Sequence, residues 1–210
     1  MADSEEPHRE VEIKLQITEE IYRSIQASAG QNGTPRVQHN TFFDTAEKRL
    51  GKENWAFRLR SEGDRYCITA KSLPKEGGGE VFDRQEYEAQ VPEALAAKLH
   101  CGFSLCEHDV LPCRKLCALF GDLFLRKRFG FVNHRTYIPF GHWTLELDKT
   151  EIGSRRFYEL EAESPGREIN ELRSRIREWF DREGWAYVPS TATKMMRAIA
   201  FLESKAEICE

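Results

Sequence analysis

The sequence predicts an α+β fold, namely a closed eight-stranded antiparallel β-barrel with helices packed on the outside. Several segments alternate apolar and charged residues with a period of two, which is typical of strands that have one apolar and one polar face. Amphipathic helices are predicted near the start, the middle and the end of the chain, and they supply a cover for the apolar face. Closure of the sheet then removes its exposed edges and makes the charged face the lining of the barrel.

The first predicted strand, Arg9 to Leu15, shows this alternation most clearly. It places Glu10, Glu12 and Lys14 on one face and its apolar residues on the other. Two carboxylates at positions i and i+2 repel each other, so a compensating cation is expected: a metal ion, a Lys or Arg across the sheet, or solvent alone. The same acidic pattern recurs in three later strands, at Glu86 and Glu88, Glu146 and Asp148, and Glu159 and Glu161.

The elements that follow are predicted from periodicity and from turn residues. Thr18 is the predicted N-cap of a helix whose first turn carries Glu19 and Glu20, where carboxylates suit the helix dipole. Residues 36–45 alternate like a strand, and residues 50–54 are predicted to be an irregular polar connection. Two strands at 55–61 and 65–72 form a hairpin around the turn at 62–64.

The second half of the chain repeats the pattern without an intervening linker. The glycine-rich stretch 75–79 lacks the Lys-Ser/Thr pair and the helix of a P-loop, so we expect a mobile loop. In chain order, the remaining predicted elements are a strand at 81–91, helices at 92–99 and 109–120, strands at 123–129, 131–138, 143–149 and 156–163, and helices at 168–183 and 193–205. We expect a disordered tail at 1–8 and a single domain at 9–210.

Composition and charge restrict the possible partners. The 210 residues include 35 acidic and 31 basic side chains, for a formal net charge of −4, which does not suggest a protein that coats nucleic acid or binds a membrane surface. No apolar run approaches the length of a membrane span, and the acidic first residues do not resemble a secretory signal. We therefore expect a cytoplasmic monomer with a small-molecule ligand and no nucleic-acid or membrane partner.

Four of the six cysteines lie between Cys101 and Cys117. Their spacing fits none of the usual zinc-binding patterns, and no CxxC pair occurs. In an intracellular protein thiols stay reduced, so we interpret these residues as buried free thiols on helices.

Basic residues share the polar face with the acidic ones. Arg58 and Arg60 alternate with Phe57 and Leu59 on the predicted hairpin. With Lys71, Arg135 and Lys14 they would line a barrel interior opposite the carboxylates. Arg and Lys bind phosphate oxygens, and carboxylates are ligands that Mg²⁺ and Mn²⁺ prefer. A triphosphate with a bound divalent metal uses both the basic and the acidic residues of such a lining.

These motifs resemble the CYTH superfamily, the triphosphate tunnel metalloenzymes. The pattern Glu10-x-Glu12-x-Lys14 resembles the superfamily's ExExK signature. The likeness continues in order along nearly the whole chain, at Asn40–Thr45, Phe57–Arg60, Ile68–Lys71, Arg84–Glu88, Arg135, Leu145–Asp148, Tyr158–Glu161 and Thr193–Lys194. The resemblance implies the closed eight-stranded tunnel and a metal-dependent triphosphatase, a hydrolase of phosphoric anhydride bonds.

The resemblance also implies roles for individual residues. Mg²⁺, or Mn²⁺, is expected on Glu10, Glu12, Glu146, Asp148, Glu159 and Glu161. The triphosphate is expected to bind Lys14, Arg58, Arg60, Lys71, Arg135 and Lys194. From the residues alone, Lys194 would be interpreted as a solvated lysine on a terminal helix, and only the resemblance gives it this role. Lys14 is also a candidate catalytic residue, and Glu86 or Glu88 is the candidate base for the attacking water.

The sequence leaves alternatives open for both the substrate and the reaction. Inorganic triphosphate and thiamine triphosphate are the two candidate substrates. Thiamine-specific members of the superfamily carry a Trp two residues before the first Arg of the clamp, whereas Trp55 lies three residues before Arg58 and is expected on the opposite face unless the strand has a bulge. A class IV adenylyl cyclase and a non-catalytic polyphosphate-binding module are the other functional hypotheses.

Overall fold

The computed structural model describes residues 8–72, 81–164 and 168–206, without the side chains of residues 8–10, 81–84, 205 and 206. Residues 1–7 of the predicted tail and the predicted loop at 75–79 lie outside the described residues. The elements are β1 His8–Ile17, α1 Glu19–Ala29, β2 Thr34–Asp44, α2 Arg49–Lys52, β3 Trp55–Glu62, β4 Arg65–Ser72, β5 Val81–Val91, α3 Glu93–Leu99, β6 Phe103–Ser104, α4 Leu111–Phe120, β7 Phe124–Phe140, β8 Trp143–Ile152, β9 Arg155–Glu163, α5 Ile169–Glu183 and α6 Lys194–Ala206.

A large antiparallel sheet with helices confirms the predicted α+β class. The described residues contain nine strands, of which β6 has only two residues. Closure of the sheet into a barrel is not confirmed and stays a prediction. None of the helices in the described ranges is long and apolar enough to cross a membrane.

Two local predictions are corrected, and one short strand was not predicted. The strands predicted at 123–129 and 131–138 form one strand, β7, which passes through Gly130 without a break. A Cβ atom at this position would lie 2.7 Å from the carbonyl oxygen of Asn40, so only glycine fits this close approach between β7 and β2. The predicted irregular connection at 50–54 instead begins within α2, whose backbone amides at Leu50 and Gly51 donate to the carboxylate of Asp44. The two-residue strand β6 was not predicted, because it is too short to show a period.

The residues fall into two compact units. The first consists of residues 8–9, 38–72 and 84–131. Its strands pair in the order β2-β3-β4-β5, with unbroken register from Trp55 opposite Ser72 to Glu62 opposite Arg65 in the β3–β4 hairpin. A core of fully buried side chains lies on the apolar face of these strands beneath α3 and α4, and includes Phe57, Ile68, Leu99 and Leu116.

The cysteines of this unit differ from the prediction. Cys106 and Cys117 form a disulfide with a Cα–Cα distance of 5.5 Å, so the interpretation of all of them as free thiols is wrong. The two cysteines come close because the short helical turn at Leu105–Glu107 lies against α4. No periodic pattern in the sequence predicts this turn. Cys67, Cys101 and Cys113 are free.

The second unit consists of residues 10–37, 81–83, 132–164 and 168–206. Within it, β1 pairs with β9, β9 with β8, and β8 with the second half of β7. Helices α1 and α5 cover the apolar face of these strands and form a second core that includes Ile13, Ile25, Leu145 and Phe180. As predicted, Thr18 caps α1, and its hydroxyl accepts a hydrogen bond from the amide of Ile21.

Candidate active site

Strand register in the second unit aligns charged side chains in rows across the sheet. In one row, Arg135 on β7 lies opposite Asp148 on β8, and Asp148 lies opposite Glu159 on β9. The guanidinium of Arg135 donates two hydrogen bonds to the carboxylate of Asp148, from Nε to Oδ1 at 2.8 Å and from Nη2 to Oδ2 at 2.6 Å. This paired geometry gives a strong and directional contact between two buried groups.

A second row lies two residues away and therefore on the same face of the sheet. Here Glu146 on β8 is opposite Glu161 on β9, which is opposite Lys14 on β1. Glu161 Oε1 lies 2.7 Å from Lys14 Nζ, and its Oε2 accepts a 2.7 Å hydrogen bond from Arg135 Nη2. Lys14 Nζ also lies 3.2 Å from Glu12 Oε1, and Arg135 Nη1 forms an ion pair with Glu146. Glu161 thus joins the two rows.

The start of α6 adds a third cation to these rows. Thr193 caps the first turn, where its hydroxyl accepts from the amide of Met196. Lys194 then extends its Nζ to within 2.8 Å of Asp148 Oδ2 and 3.3 Å of Glu159 Oε2, and it donates a short hydrogen bond to Glu161. Only 12% of the Lys194 side chain is exposed. The solvated lysine suggested by the residues alone is therefore wrong, because the turn before α6 carries this side chain into the sheet's charged face.

Two residues that the sequence did not single out hold Glu159. Ser190 Oγ donates a 3.0 Å hydrogen bond to Glu159 Oε1. Arg197, one helical turn after Lys194, places its Nη2 2.8 Å from Ser190 Oγ and 3.4 Å from Glu159 Oε1. We call the following set the ion cluster: Glu12, Lys14, Arg135, Glu146, Asp148, Glu159, Glu161, Ser190, Lys194 and Arg197.

Two carboxylates of the ion cluster, Glu161 and Glu146, have pKa values that are shifted in opposite directions. Burial opposes ionisation of Glu161, but the attraction of Lys14, Lys194 and Arg135 outweighs it, so the pKa of Glu161 lies well below its usual value. Burial raises the pKa of Glu146 to about 7, because Arg135 offsets the cost of desolvation only in part. The carboxylates Glu12, Glu159 and Glu161 have 6% or less of their side chains exposed.

The donor set of the ion cluster suits a hard divalent cation such as Mg²⁺. It contains five carboxylates. One of their buried oxygens, Glu159 Oε2, has no hydrogen-bond partner in the described part of the chain, and Lys194 Nζ lies 3.3 Å from it. Among the described residues, however, no three Asp, Glu, His or Cys side chains converge as a metal site. The carboxylates do not converge because Lys14, Arg135 and Lys194 lie between them. The chemistry of the residues fits a metal, and their present partners are cations of the chain itself.

The first unit carries a second charged group of residues, which we call the basic cluster: Arg58, Arg60, Lys71, Glu86, Glu88, Thr69 and Asn40. Arg58 on β3 lies opposite Thr69 on β4, which lies opposite Glu88 on β5. Arg58 Nη2 donates to Thr69 Oγ1 at 3.0 Å, and Thr69 Oγ1 donates to Glu88 Oε2 at 3.1 Å. Arg58 is buried and its Nε has no hydrogen-bond partner among residues 8–72, 81–164 and 168–206, whereas about half of the Glu88 side chain is exposed.

The remaining members of the basic cluster flank this row. Lys71 on β4 lies opposite Glu86 on β5, with Nζ 3.5 Å from Oε2. Arg60 lies opposite Asn40 on β2, and Arg60 Nε donates to Asn40 Oδ1 at 3.0 Å. The three predicted basic residues of the first unit therefore share one face of its strands.

Trp55 lies on the other face of β3. The register of β3 with β4 is continuous from Trp55 to Arg58, so no bulge shifts the alternation. Trp55 stacks on Tyr87 at a centroid distance of 6.2 Å and meets Phe120 edge-on at 6.4 Å, beside the core of the first unit. The expectation that Trp55 points away from Arg58 is confirmed.

The family model described as the CYTH domain matches residues 8–186. The chain belongs to the CYTH family. The resemblance found in its motifs is thereby confirmed. CYTH proteins are triphosphatases or cyclases that bind small triphosphates and are in general metal-dependent. No curated protein matches the sequence.

Solved structures of CYTH-like proteins share this fold. One is a candidate adenylyl cyclase from Hippeastrum, described as revealing a dominant triphosphatase activity; it is 23% identical, with a TM-score of 0.78 over 91% of this chain and 95% of that chain. Another is a candidate adenylate cyclase from Bacillus halodurans, 20% identical, with a TM-score of 0.69 over 90% and 96% of the two chains. At these identities the likeness shows the fold alone.

Within this CYTH chain, most of the predicted site residues lie in one of the two clusters. Glu10 lies in β1, but its side chain is outside the described residues. Ser190, Arg197, Thr69 and Asn40 were not predicted as site residues. A signal existed for Arg197, which follows Lys194 by three residues and so shares its helix face. Ser190 had none, because an isolated serine in a loop carries no pattern.

Proposed function

We propose that this protein is a metal-dependent triphosphatase that hydrolyses the terminal phosphate of a small triphosphate. The buried ion cluster carries the proposal. A polyanion alone needs only cations, and a metal ion alone needs only carboxylates, whereas a metal-bridged triphosphate uses both. Membership of the CYTH family and the triphosphatase activity described for the Hippeastrum protein support the same reaction class.

The ion pairs of the cluster suggest how a charged substrate enters a buried site. Separating a buried ion pair is costly when one charge is left without a partner. In a complex with metal-bound triphosphate, Lys14, Arg135 and Lys194 would exchange carboxylates for phosphate oxygens. The carboxylates would exchange the ammonium and guanidinium groups for the metal. The exchange keeps every buried charge compensated.

The carboxylates proposed to hold Mg²⁺ or Mn²⁺ are Glu10, Glu12, Glu146, Asp148, Glu159 and Glu161. When bound, the metal supplies positive charge to the phosphate oxygens that gain negative charge in the transition state. The chain's own cations act in the same direction. Lys14, Arg135 and Lys194 neutralise the phosphoryl group and the leaving diphosphate, and they fix its orientation toward the attacking water.

Roles are also proposed for the basic cluster of the first unit. Arg58, Arg60 and Lys71 are proposed to bind phosphate, and Glu86 or Glu88 to accept the proton of the attacking water. The buried and unpartnered Nε of Arg58 supports a ligand role for its guanidinium.

Inorganic triphosphate is the proposed substrate in preference to thiamine triphosphate. Trp55 packs on Tyr87 and Phe120, so it is not available to stack on a thiamine ring beside Arg58. On the face of Arg58, the aromatic residue in the opposite position is Phe42, which is buried and stacked on Phe129 at 4.9 Å. Neither ring is placed to stack on a thiamine beside Arg58.

Product analysis tests the proposal. The pure protein is incubated with inorganic triphosphate, thiamine triphosphate and ATP, each with Mg²⁺, Mn²⁺ or EDTA. We expect phosphate and diphosphate from inorganic triphosphate, no turnover in EDTA, and none with Asp148→Asn. Cyclic AMP and diphosphate from ATP would instead identify a cyclase, the activity named for the two neighbours. Tight binding of triphosphate without any product would identify a polyphosphate-binding module.

A further inference from the structure

Glu159 differs from the other carboxylates of the ion cluster in how its two oxygens are held. Oε1 accepts a hydrogen bond from Ser190 and lies 3.4 Å from Arg197. Oε2 is buried and has no hydrogen-bond partner among the described residues, and Lys194 Nζ lies 3.3 Å from it. By contrast, both oxygens of Asp148 accept hydrogen bonds from Arg135. A buried oxygen without a hydrogen bond is uncommon in a folded protein and needs an explanation.

The two groups that hold Oε1 are themselves fixed. The segment before Ser190 pairs with β1: Gln16 N donates to Val188 O at 2.9 Å, and Ser190 N donates to Lys14 O at 2.8 Å. Arg197 lies over the ring of Phe157 on β9, with its guanidinium carbon 5.2 Å from the ring centroid. Ser190 is therefore held by backbone pairing and Arg197 by an aromatic contact, and neither depends on Glu159 for its position.

We propose that Ser190 and Arg197 are positioning residues that hold Glu159 by Oε1 and thereby present Oε2 to the catalytic metal. The inference rests on the proposed function, in which Lys194 moves from Glu159 to a phosphate and leaves Oε2 free for the metal. Hydrogen bonds to the outer oxygen of a ligating carboxylate orient it, and removal of such partners typically lowers metal affinity tenfold to a hundredfold.

A direct phosphate contact by Arg197 is the competing role, because its buried Nη1 also lacks a hydrogen-bond partner within the described ranges. The two roles differ in what they require. A residue that acts through Glu159 changes metal affinity, whereas a phosphate ligand changes triphosphate affinity even when no metal is present. Ser190→Ala is the cleaner variant, since it removes one hydroxyl and no charge.

The experiment measures Mn²⁺ binding by electron paramagnetic resonance, in the presence of a saturating non-hydrolysable imido analogue of triphosphate. We expect Ser190→Ala and Arg197→Gln to raise the Mn²⁺ dissociation constant at least tenfold and Arg197→Lys to recover part of the loss. Isothermal titration with the same analogue in EDTA should give dissociation constants within about threefold of wild type for Ser190→Ala. Thermal melting establishes that each variant is folded.

Arg155→Gln is the matched control. Arg155 on β9 lies over the ring of Phe201 on α6, at 5.8 Å, so its loss removes the same kind of contact between the same two elements. We expect its Mn²⁺ dissociation constant to match wild type. The inference would be overturned by any of three results: an unchanged Mn²⁺ affinity in Ser190→Ala, a loss of Mn²⁺ affinity in Arg155→Gln equal to that in Ser190→Ala, or no Mn²⁺ binding by wild type. The measurement needs no turnover, so a protein that binds Mn²⁺ as expected but hydrolyses nothing would contradict only the proposed function.

Discussion

Lys14 on β1 and Glu161 on β9 lie opposite each other in the sheet, with Nζ and Oε1 2.7 Å apart. Glu161 also accepts from Arg135 and Lys194, so one carboxylate holds three cations. These cations come from three separate parts of the chain: β1, β7 and the start of α6. Glu161 therefore compensates the three cations that are proposed to bind the phosphate groups of the substrate.

Glu161→Gln should lower the melting temperature of the ligand-free protein and abolish triphosphatase activity. Loss of one partner of a buried ion pair typically costs about 3 to 5 kcal/mol, because the remaining charges are left uncompensated. In EDTA, triphosphate should stabilise this variant more than wild type, since the freed cations bind phosphate without displacing a carboxylate. Differential scanning calorimetry with and without triphosphate measures both effects. Glu171→Gln, at an exposed position on α5, is the control, and an unchanged melting temperature in Glu161→Gln would contradict the assigned role.

Glu146→Gln should change how stability depends on pH. The pKa of Glu146 is raised in the folded protein from its ordinary value near 4.5 to about 7, so between these values the folded state binds more protons than the unfolded state. Stability from this group is therefore present below pH 4.5 and is lost as the pH rises through 7. The free energy of unfolding of wild type, minus that of Glu146→Gln, should fall between pH 5 and 8 by up to about 3 kcal/mol. Urea unfolding across this range checks the prediction, and a rise in the difference would refute the direction of the shift.

Arg58→Ala and Arg60→Ala should each weaken triphosphate binding or turnover at least tenfold. A charge-assisted contact to phosphate contributes about 1.5 to 3 kcal/mol, and each 1.4 kcal/mol is a factor of ten. The control is Arg65→Ala, at an exposed position on the same hairpin. Isothermal titration with triphosphate gives the affinities. An affinity equal to that of wild type in both arginine variants would contradict a phosphate-binding role for the basic cluster.

Trp55→Leu should lower stability and leave substrate preference unchanged. The indole packs on Tyr87 and Phe120 on the apolar side of β3, so its truncation removes core contacts and costs about 1 to 3 kcal/mol. The ratio of kcat/KM for thiamine triphosphate to that for inorganic triphosphate should match wild type. If the ratio fell tenfold or more, Trp55 would be in contact with the thiamine, and its placement on the apolar face would be wrong in the bound state.

The sequence by itself determined which face of each strand is charged. Side chains alternate along a strand, so the positions of Glu12 and Lys14, or of Glu146 and Asp148, follow from counting by two. The N-cap of α1 and the apolar side of Trp55 followed from equally local rules. Together with the order of the motifs, these rules were enough for the α+β class and for the family.

Only the tertiary structure decided which charges are partners. The contacts of Lys194 and Ser190 with β9 join residues 31 to 35 positions apart, and no local period encodes them. They depend on strand register and on the turn that carries the first residues of α6 into the charged face of the sheet. The Cys106–Cys117 disulfide has the same origin, since it requires a short helical turn to fold against α4. Alternation determines the face of the strand on which each side chain lies. The ion-pair and disulfide partners depend on how elements that are distant along the chain pack against each other.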